Sequence, residues 1–200
     1  MAQSEQRVKS DRAFFLDRDG VLVEDVDLLT EASQIRIIPG VVEALQVIHE
    51  HGYLSVVVTN QTVVSRGLID EAELGVLHGH LRDQLVQAGA PPVSAFYVCP
   101  HHPHADVAQY RVDCACRKPK PGLLERASDE MGIDLSTSFM VGDRLSDVAA
   151  GTSAGCTTAL VESGAHRAPP IVGMPSDPPT PDHRFPDLRE AVHSLLRGQS

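Results

Sequence analysis

Two carboxylates, Asp17 and Asp19, close the short apolar run Phe14-Phe15-Leu16 and are followed at once by Gly20. A run of that kind ending in a turn residue reads as a buried parallel strand, and ligands of open α/β sheets bind outside the carboxyl ends of strands. Carboxylates placed there can bind a hard cation, attack an electrophile or carry a proton. A lone Asp-x-Asp is as often a solvated acidic turn, so the matching parts must come from later strand ends. Thr59-Asn60-Gln61 ends the apolar run Tyr53–Val58. Arg117-Lys118 precedes a helix start at Pro121-Gly122. Asp143 follows the run Ser138–Val141, with Asp147 one helical turn further on.

The elements that must hold these residues can be read in order. Pro39-Gly40 opens a helical pattern with Val41, Val42, Leu45 and Ile48 on one face, and Gly52 follows it. Asp70 with Glu73 has the form of a capping box for a helix to about Gly89 that turns Leu74, Leu77, Leu81 and Leu85 inward. Ala95–Val98 reads as a third strand, Pro121-Gly122 to about Gly132 as a helix, Asp147–Ala154 as another, and Thr157–Val161 as a strand. Strands alternating with helices predict an α/β fold, a three-layer, Rossmann-like, doubly wound parallel sheet. The stretch from Cys99 to Pro121 is aperiodic and reads as a long loop, of the kind that in a compact domain is functional or disordered. One domain is expected over 1–200, with a core of about 12–162, a proline-rich extended segment at 163–186 and a closing helix at about 187–197.

Hydrophobic residues make up 42% of the 200-residue chain, charged residues 22%, and the net charge is −10. Those values describe a globular protein and argue against a sequence-tolerant nucleic-acid binder, which needs a basic face. No apolar run is long enough to cross a bilayer, and Met1–Arg12 lacks the core of a signal peptide, so a cytoplasmic protein with no membrane or nucleic-acid partner is expected, as a monomer. Cys99, Cys114 and Cys116 cluster while Cys156 stands apart; in a chain without an export signal, that cluster reads better as metal ligands than as bridges.

The four ordered strand-end motifs resemble those of the haloacid dehalogenase superfamily, whose hydrolases are mostly Mg²⁺-dependent phosphatases. The resemblance covers the chain to about Val161. It implies that Asp17 is the nucleophile, forming an aspartyl-phosphate, and that Asp19 is the general acid and base. It further implies that Asp17, Asp19 (through its carbonyl) and Asp143 hold Mg²⁺, that Thr59, Asn60, Gln61 and Thr62 bind the phosphoryl oxygens, and that Lys118 offsets the negative charge of the transition state. Asp147 is expected to orient Lys118 or a metal-bound water.

Within the superfamily, Cys99-Pro100-His101-His102-Pro103 and Asp113-Cys114-Ala115-Cys116-Arg117-Lys118-Pro119-Lys120-Pro121-Gly122 resemble the zinc loop of the D-glycero-D-manno-heptose 1,7-bisphosphate 7-phosphatases and related histidinol-phosphate phosphatases. Carried over by position, the zinc ligands are Cys99, His101, Cys114 and Cys116, a closed and therefore structural site. His102 is the rival to His101. Arg117 and Arg144 are then placed to grip the substrate. The long gap from His101 to Cys114 favours the heptose-bisphosphate branch, and the absence of long insertions implies a capless domain. Glu24–Leu29 and Thr62–Gly67 depart from the family pattern, most visibly at Val63, where a Gly is usual. The expectation is a Mg²⁺-dependent phosphatase acting on a phosphorylated sugar and removing the 7-phosphate of the heptose bisphosphate. The alternatives are a phosphatase of histidinol phosphate or another sugar phosphate, and a catalytically idle zinc-loop binding module.

Overall fold

Residues 13–16 are fully buried, and their side chains alternate between two layers. Phe14 and Leu16 join one hydrophobic cluster, whereas Ala13 and Phe15 join another. A strand covered on both faces has to be apolar throughout, which is why this segment shows no period of two. The computed structural model describes residues 10–26, 28–164, 173–174 and 176–198.

The elements are β1 (Ala13–Leu16), α1 (Val41–Glu50), β2 (Leu54–Asn60), α2 (Thr62–Ser65), α3 (Glu71–Gln87), β3 (Ala95–Cys99), α4 (Gly122–Met131), β4 (Phe139–Gly142), α5 (Leu145–Ala154), β5 (Thr157–Val161), β6 (His183–Phe185) and α6 (Leu188–Arg197). Among the described residues the strands form one sheet in the order β3-β2-β1-β4-β5-β6, and each neighbouring pair is parallel. Leu45 and Ile48 of α1, Leu77, Leu81 and Leu85 of α3, and Val192 and Leu196 of α6 cover the face carrying Phe14 and Leu16. Leu123, Leu124 and Ala127 of α4 and Ala150 of α5 cover the face carrying Phe15 and Met140. This is the expected three-layer, doubly wound α/β fold. Chain order reverses between β1 and β4, so their carboxyl ends border the crevice that such sheets use for ligands.

The capping box at Asp70 forms in full: the Asp70 carboxylate accepts from Glu73 N at 2.8 Å, and the Glu73 carboxylate accepts from Asp70 N at 2.8 Å. Between β1 and α1 the described residues make only a 3₁₀ turn at Ala32–Gln34 and isolated bridges of Val23 to Asp19 and Ile37. Two elements depart from expectation. Thr62–Ser65 is a short helix whose Val63 and Val64 are buried with Leu74, so a valine at position 63 serves packing rather than crowding the turn. The proline-rich stretch expected to be extended also holds β6, paired parallel to β5 from Ala159↔His183 to Val161↔Phe185. Three residues flanked by prolines carry no periodic signal; pairing with β5 and the Asp182 carboxylate, which accepts from Thr158 N at 2.8 Å and Thr158 Oγ1 at 2.7 Å, hold them. Residues 165–172 and 175 of that stretch lie outside the described residues.

Candidate active site

Lys118 is the hub of the site. Its ammonium, 1% exposed, lies 3.0 Å from Asp17 Oδ1 and 2.6 Å from Asp147 Oδ1, and donates to the Val58 carbonyl at 2.8 Å. Burial disfavours its charge, but Asp147 and Asp17 outweigh that cost and raise its pKa above the ordinary lysine value. Its backbone is locked as well: Asn60 Nδ2 donates to Lys118 O at 3.0 Å, and Lys118 N donates to Asn60 Oδ1 at 3.1 Å. The Asn60 amide, expected on phosphate, thus bonds the Lys118 backbone through both its nitrogen and its oxygen.

Asp17, buried at the end of β1, continues the sheet pairing by donating N–H to Val141 O at 3.0 Å, and its Oδ1 accepts from Arg18 N at 2.7 Å. Asp143 is buried beside it, and neither of its carboxylate oxygens has a hydrogen-bond partner. Burial first, then repulsion from Asp17 and Asp147, pushes its pKa up to about 8. Burial also raises Asp147 to about 6, against the pull of Lys118. The oxygens of Asp17, Asp143 and Asp147 lie within 4.8 Å of one another. Three carboxylates against one ammonium, with two buried oxygens unsatisfied, are a donor set that fits a hard divalent cation. Close glycine contacts shape this corner: a Cβ on Gly20 (φ +75°) or on Gly164 would come within 2.5 Å of Asp143 Oδ2.

Asp19 is oriented by its neighbours. Arg18, 2% exposed, donates from Nε to Asp19 Oδ1 at 3.0 Å and from Nη2 to Asp19 Oδ2 at 2.8 Å. Gln61 Nε2 donates to Asp19 Oδ2 at 2.9 Å and to Thr59 Oγ1 at 2.8 Å, and Gln61 N donates to Cys99 O at 2.8 Å. Gln61, expected on phosphate, bridges Asp19 and Thr59 through its amide nitrogen. Thr59 is buried and keeps its own hydroxyl proton as a donor, while Thr62 opens α2.

In the loop after β3, Cys116 Sγ lies 3.2 Å from both Cys99 Sγ and Cys114 Sγ, and Cys99 Sγ lies 3.6 Å from Cys114 Sγ. His101 Nδ1 is 3.4 Å from Cys116 Sγ and 3.8 Å from Cys99 Sγ. Thiolates on a tetrahedral zinc lie about 3.8 Å apart, whereas a disulfide would need about 2 Å. Hydrogen bonding from Cys99 lowers Cys116 to about 5, while Cys99 itself is raised by that same bond and by burial. A pocket that already favours a thiolate fits a metal, which binds thiolates. His101, not its rival His102, joins the three cysteines in a four-donor cluster, and His102 Nδ1 accepts from His104 N at 3.1 Å. Arg117 donates from Nη1 to His101 O at 2.9 Å, which ties it to this loop, and its buried Nε–H has no partner. Arg144 reaches the loop after β1, with Nη2 3.3 Å from Asp25 Oδ2.

A family model described as "HAD-hyrolase-like" matches residues 115–191. Over 153 residues the chain is 41% identical to the D-glycero-beta-D-manno-heptose-1,7-bisphosphate 7-phosphatase of Photorhabdus laumondii, which spans 76% of this chain and 81% of that one. The chain belongs to this phosphatase family. The Escherichia coli (strain K12) member is 39% identical over 157 residues, covering 78% of this chain and 82% of its own. The crystal structure of a D,D-heptose 1,7-bisphosphate phosphatase from B. bronchiseptica, complexed with magnesium and phosphate, superposes with a TM-score of 0.78 at 31% identity, covering 94% of this chain and 99% of that one.

In this member of the family, the structure brings together Asp17, Lys118, Asp143 and Asp147 at one point, and Asp19, Thr59 and Gln61 beside it. Two participants escaped the sequence reading. Arg18 sits between the paired carboxylates, and its inward course is a tertiary fact. His78 was visible in principle, as a polar residue on the stripe Leu74, Leu77, Leu81, Leu85 that α3 buries.

Proposed function

We propose that this chain is a Mg²⁺-dependent phosphomonoesterase that removes the 7-phosphate of D-glycero-D-manno-heptose 1,7-bisphosphate through an aspartyl-phosphate on Asp17. The observation that carries this reading is Asp17 held by a buried Lys118 at 3.0 Å beside Asp143, whose buried carboxylate has no partner. Asp17, Asp143 and the Asp19 carbonyl would hold Mg²⁺, which when bound screens the phosphoryl charge from the attacking carboxylate.

Asp17 Oδ1 is fixed by Arg18 N and Lys118, which leaves Oδ2 to attack phosphorus in line. Asp19 delivers its proton to the departing sugar alkoxide, then takes one from the water that attacks the aspartyl-phosphate. Lys118 spends its donors on Asp17, Asp147 and Val58 O, so its contribution is to aim Asp17 and to supply positive charge as negative charge spreads over the phosphoryl oxygens. Zinc held by Cys99, His101, Cys114 and Cys116 would stiffen the loop that delivers Arg117 and Lys118, and Arg117 and Arg144 would meet the second phosphate of the substrate. The domain is capless, so substrate choice falls to these loops.

Phosphate release is measured over a panel containing the heptose 1,7-bisphosphate, its 1-phosphate and histidinol phosphate, with Mg²⁺ and with chelator. The bisphosphate should be cleaved best, only with Mg²⁺, and Asp17→Asn should lower the rate by on the order of 10⁴-fold or more. Preference for histidinol phosphate would overturn the sugar assignment, and full activity in Asp17→Asn would overturn the nucleophile.

A further inference from the structure

Arg18 clamps Asp19 with Nε and Nη2, and the remaining arm of the same planar group is also held. Nη1 lies 3.2 Å from Nε2 of His78, a residue of α3 outside the carboxylate cluster. An arginine has donors only, so this contact requires a lone pair on His78 Nε2 and therefore the neutral ring protonated at Nδ1. We propose that His78 is a positioning residue for Asp19: by accepting from Arg18, it sets the plane of the guanidinium and so aims the carboxylate that moves the proton. This role rests on the assignment of Asp19 as general acid and base.

Three further observations support it. His78 is 7% exposed, and burial, then Arg18, then Arg82 hold its pKa down to about 3, so the accepting lone pair persists at every pH at which an enzyme of this kind works. The imidazole is stacked on Phe96, with ring centroids 4.8 Å apart and planes at 21°, which restrains the ring whose Nε2 meets Arg18. Arg18 is itself buried, so its planar fork transmits that alignment directly to both Asp19 oxygens. A proton donor has to sit within about 2.6–3.2 Å of its target, and a misplacement of about 1 Å can cost on the order of 100-fold.

The outer edge of His78 borders a groove of about 330 Å³ between α3 and β3, lined also by Gly75, Gly79 and Val98, so replacements can be accommodated. Glutamine is the informative one. Its Oε1 stands the same number of bonds from Cα as His78 Nε2 and can accept from Arg18, whereas leucine fills the space and accepts nothing.

Wild type, His78→Gln and His78→Leu are compared by kcat and KM for phosphate release, by thermal melting, and by the solvent exchange of the Arg18 Nε–H resonance in ¹⁵N NMR. The Leu variant should melt cooperatively, keep KM within about threefold and lose kcat by roughly 10-fold or more, with faster Arg18 exchange; the Gln variant should recover most of kcat and the slow exchange. Wild-type kcat in the Leu variant, or equal losses in Leu and Gln, would overturn the proposal. If the wild type released no phosphate, the phosphatase reading would fail on its own. The exchange rates would still decide whether His78 holds Arg18, because unchanged Arg18 exchange in His78→Leu rejects the contact.

Discussion

Asp143 sets how the site behaves when no cation is bound. Its carboxyl is pushed up to about 8 by burial and by its acidic neighbours, so the folded chain keeps a proton that the unfolded chain gives up near pH 4. Because the native state then binds more protons, stability of the metal-free protein should fall as pH rises from about 4 to about 8. A divalent cation takes the place of that proton. Thermal melts should therefore show Mg²⁺ raising Tm more at about pH 8 than at about pH 6, and Asp143→Asn should remove the Mg²⁺ shift and the part of the slope between about pH 6 and 8, where Asp147, raised only to about 6, adds little. An undiminished Mg²⁺ shift in Asp143→Asn would place the cation elsewhere. At this scale the sequence spoke through residue type and strand-end position, which pick out Asp17, Asp19, Lys118 and Asp143. It was silent on what lies across an interface. Asn60 and Gln61 look like free amides until β2 is set against Lys118 and the first loop, and Arg18 gains its meaning only once α3 is packed.

Among the elements, the loop from Cys99 to Pro121 has the least regular structure and the heaviest duties. It is anchored at its centre, where Val107 N donates to Ser65 O at 3.0 Å and Tyr110 Oη donates to Glu71 at 2.8 Å. Its four sulfur and nitrogen donors close it at the base. Metal analysis of the purified chain should find a single zinc. Cys116→Ser or prolonged chelation should lower Tm and cut kcat by roughly 10-fold, and added Mg²⁺ should not restore it. An unaltered kcat in zinc-free protein would show that Asn60 alone suffices to place Lys118. The long elements were legible because their signals repeat: α1 and α3 show an inward stripe, and β2 carries an unbroken β-branched run from Val56 to Thr59. Short elements were not. Four residues of α2 and three of β6 are too few for any period to declare itself, and both exist because neighbours pair with them or bury them.

For the molecule as a whole, the sheet separates chemistry from closure. The reacting groups gather where β1, β2 and β4 end, while β5, β6 and α6 complete the far side. Within that far side, Asp182 ties the chain entering β6 to β5 through three bonds with Thr158, two accepted by its carboxylate and one donated by its N–H. Asp182→Ala should cost about 1 kcal/mol and lower Tm by roughly 2–4 °C while leaving kcat unchanged. A fall in kcat equal to that of an active-site variant would mean that the two sides are mechanically coupled. The parallel, doubly wound sheet followed from the alternation of strands and helices, but the addition of β6 did not.

Lys118 has a consequence for the life of the chain before it is finished. Its partners are residue 17 at the end of β1, residues 58 and 60 of β2 and residue 147 of α5, so they are distant in sequence and belong to three separate elements. No fragment short of residue 147 contains the full set, and a chain emerging from the ribosome acquires its nucleophile first and its counter-charges last. Hydrolytic power is thus a property of the completed tertiary structure: an unfinished or misfolded copy has no means of stripping phosphate from the metabolites around it.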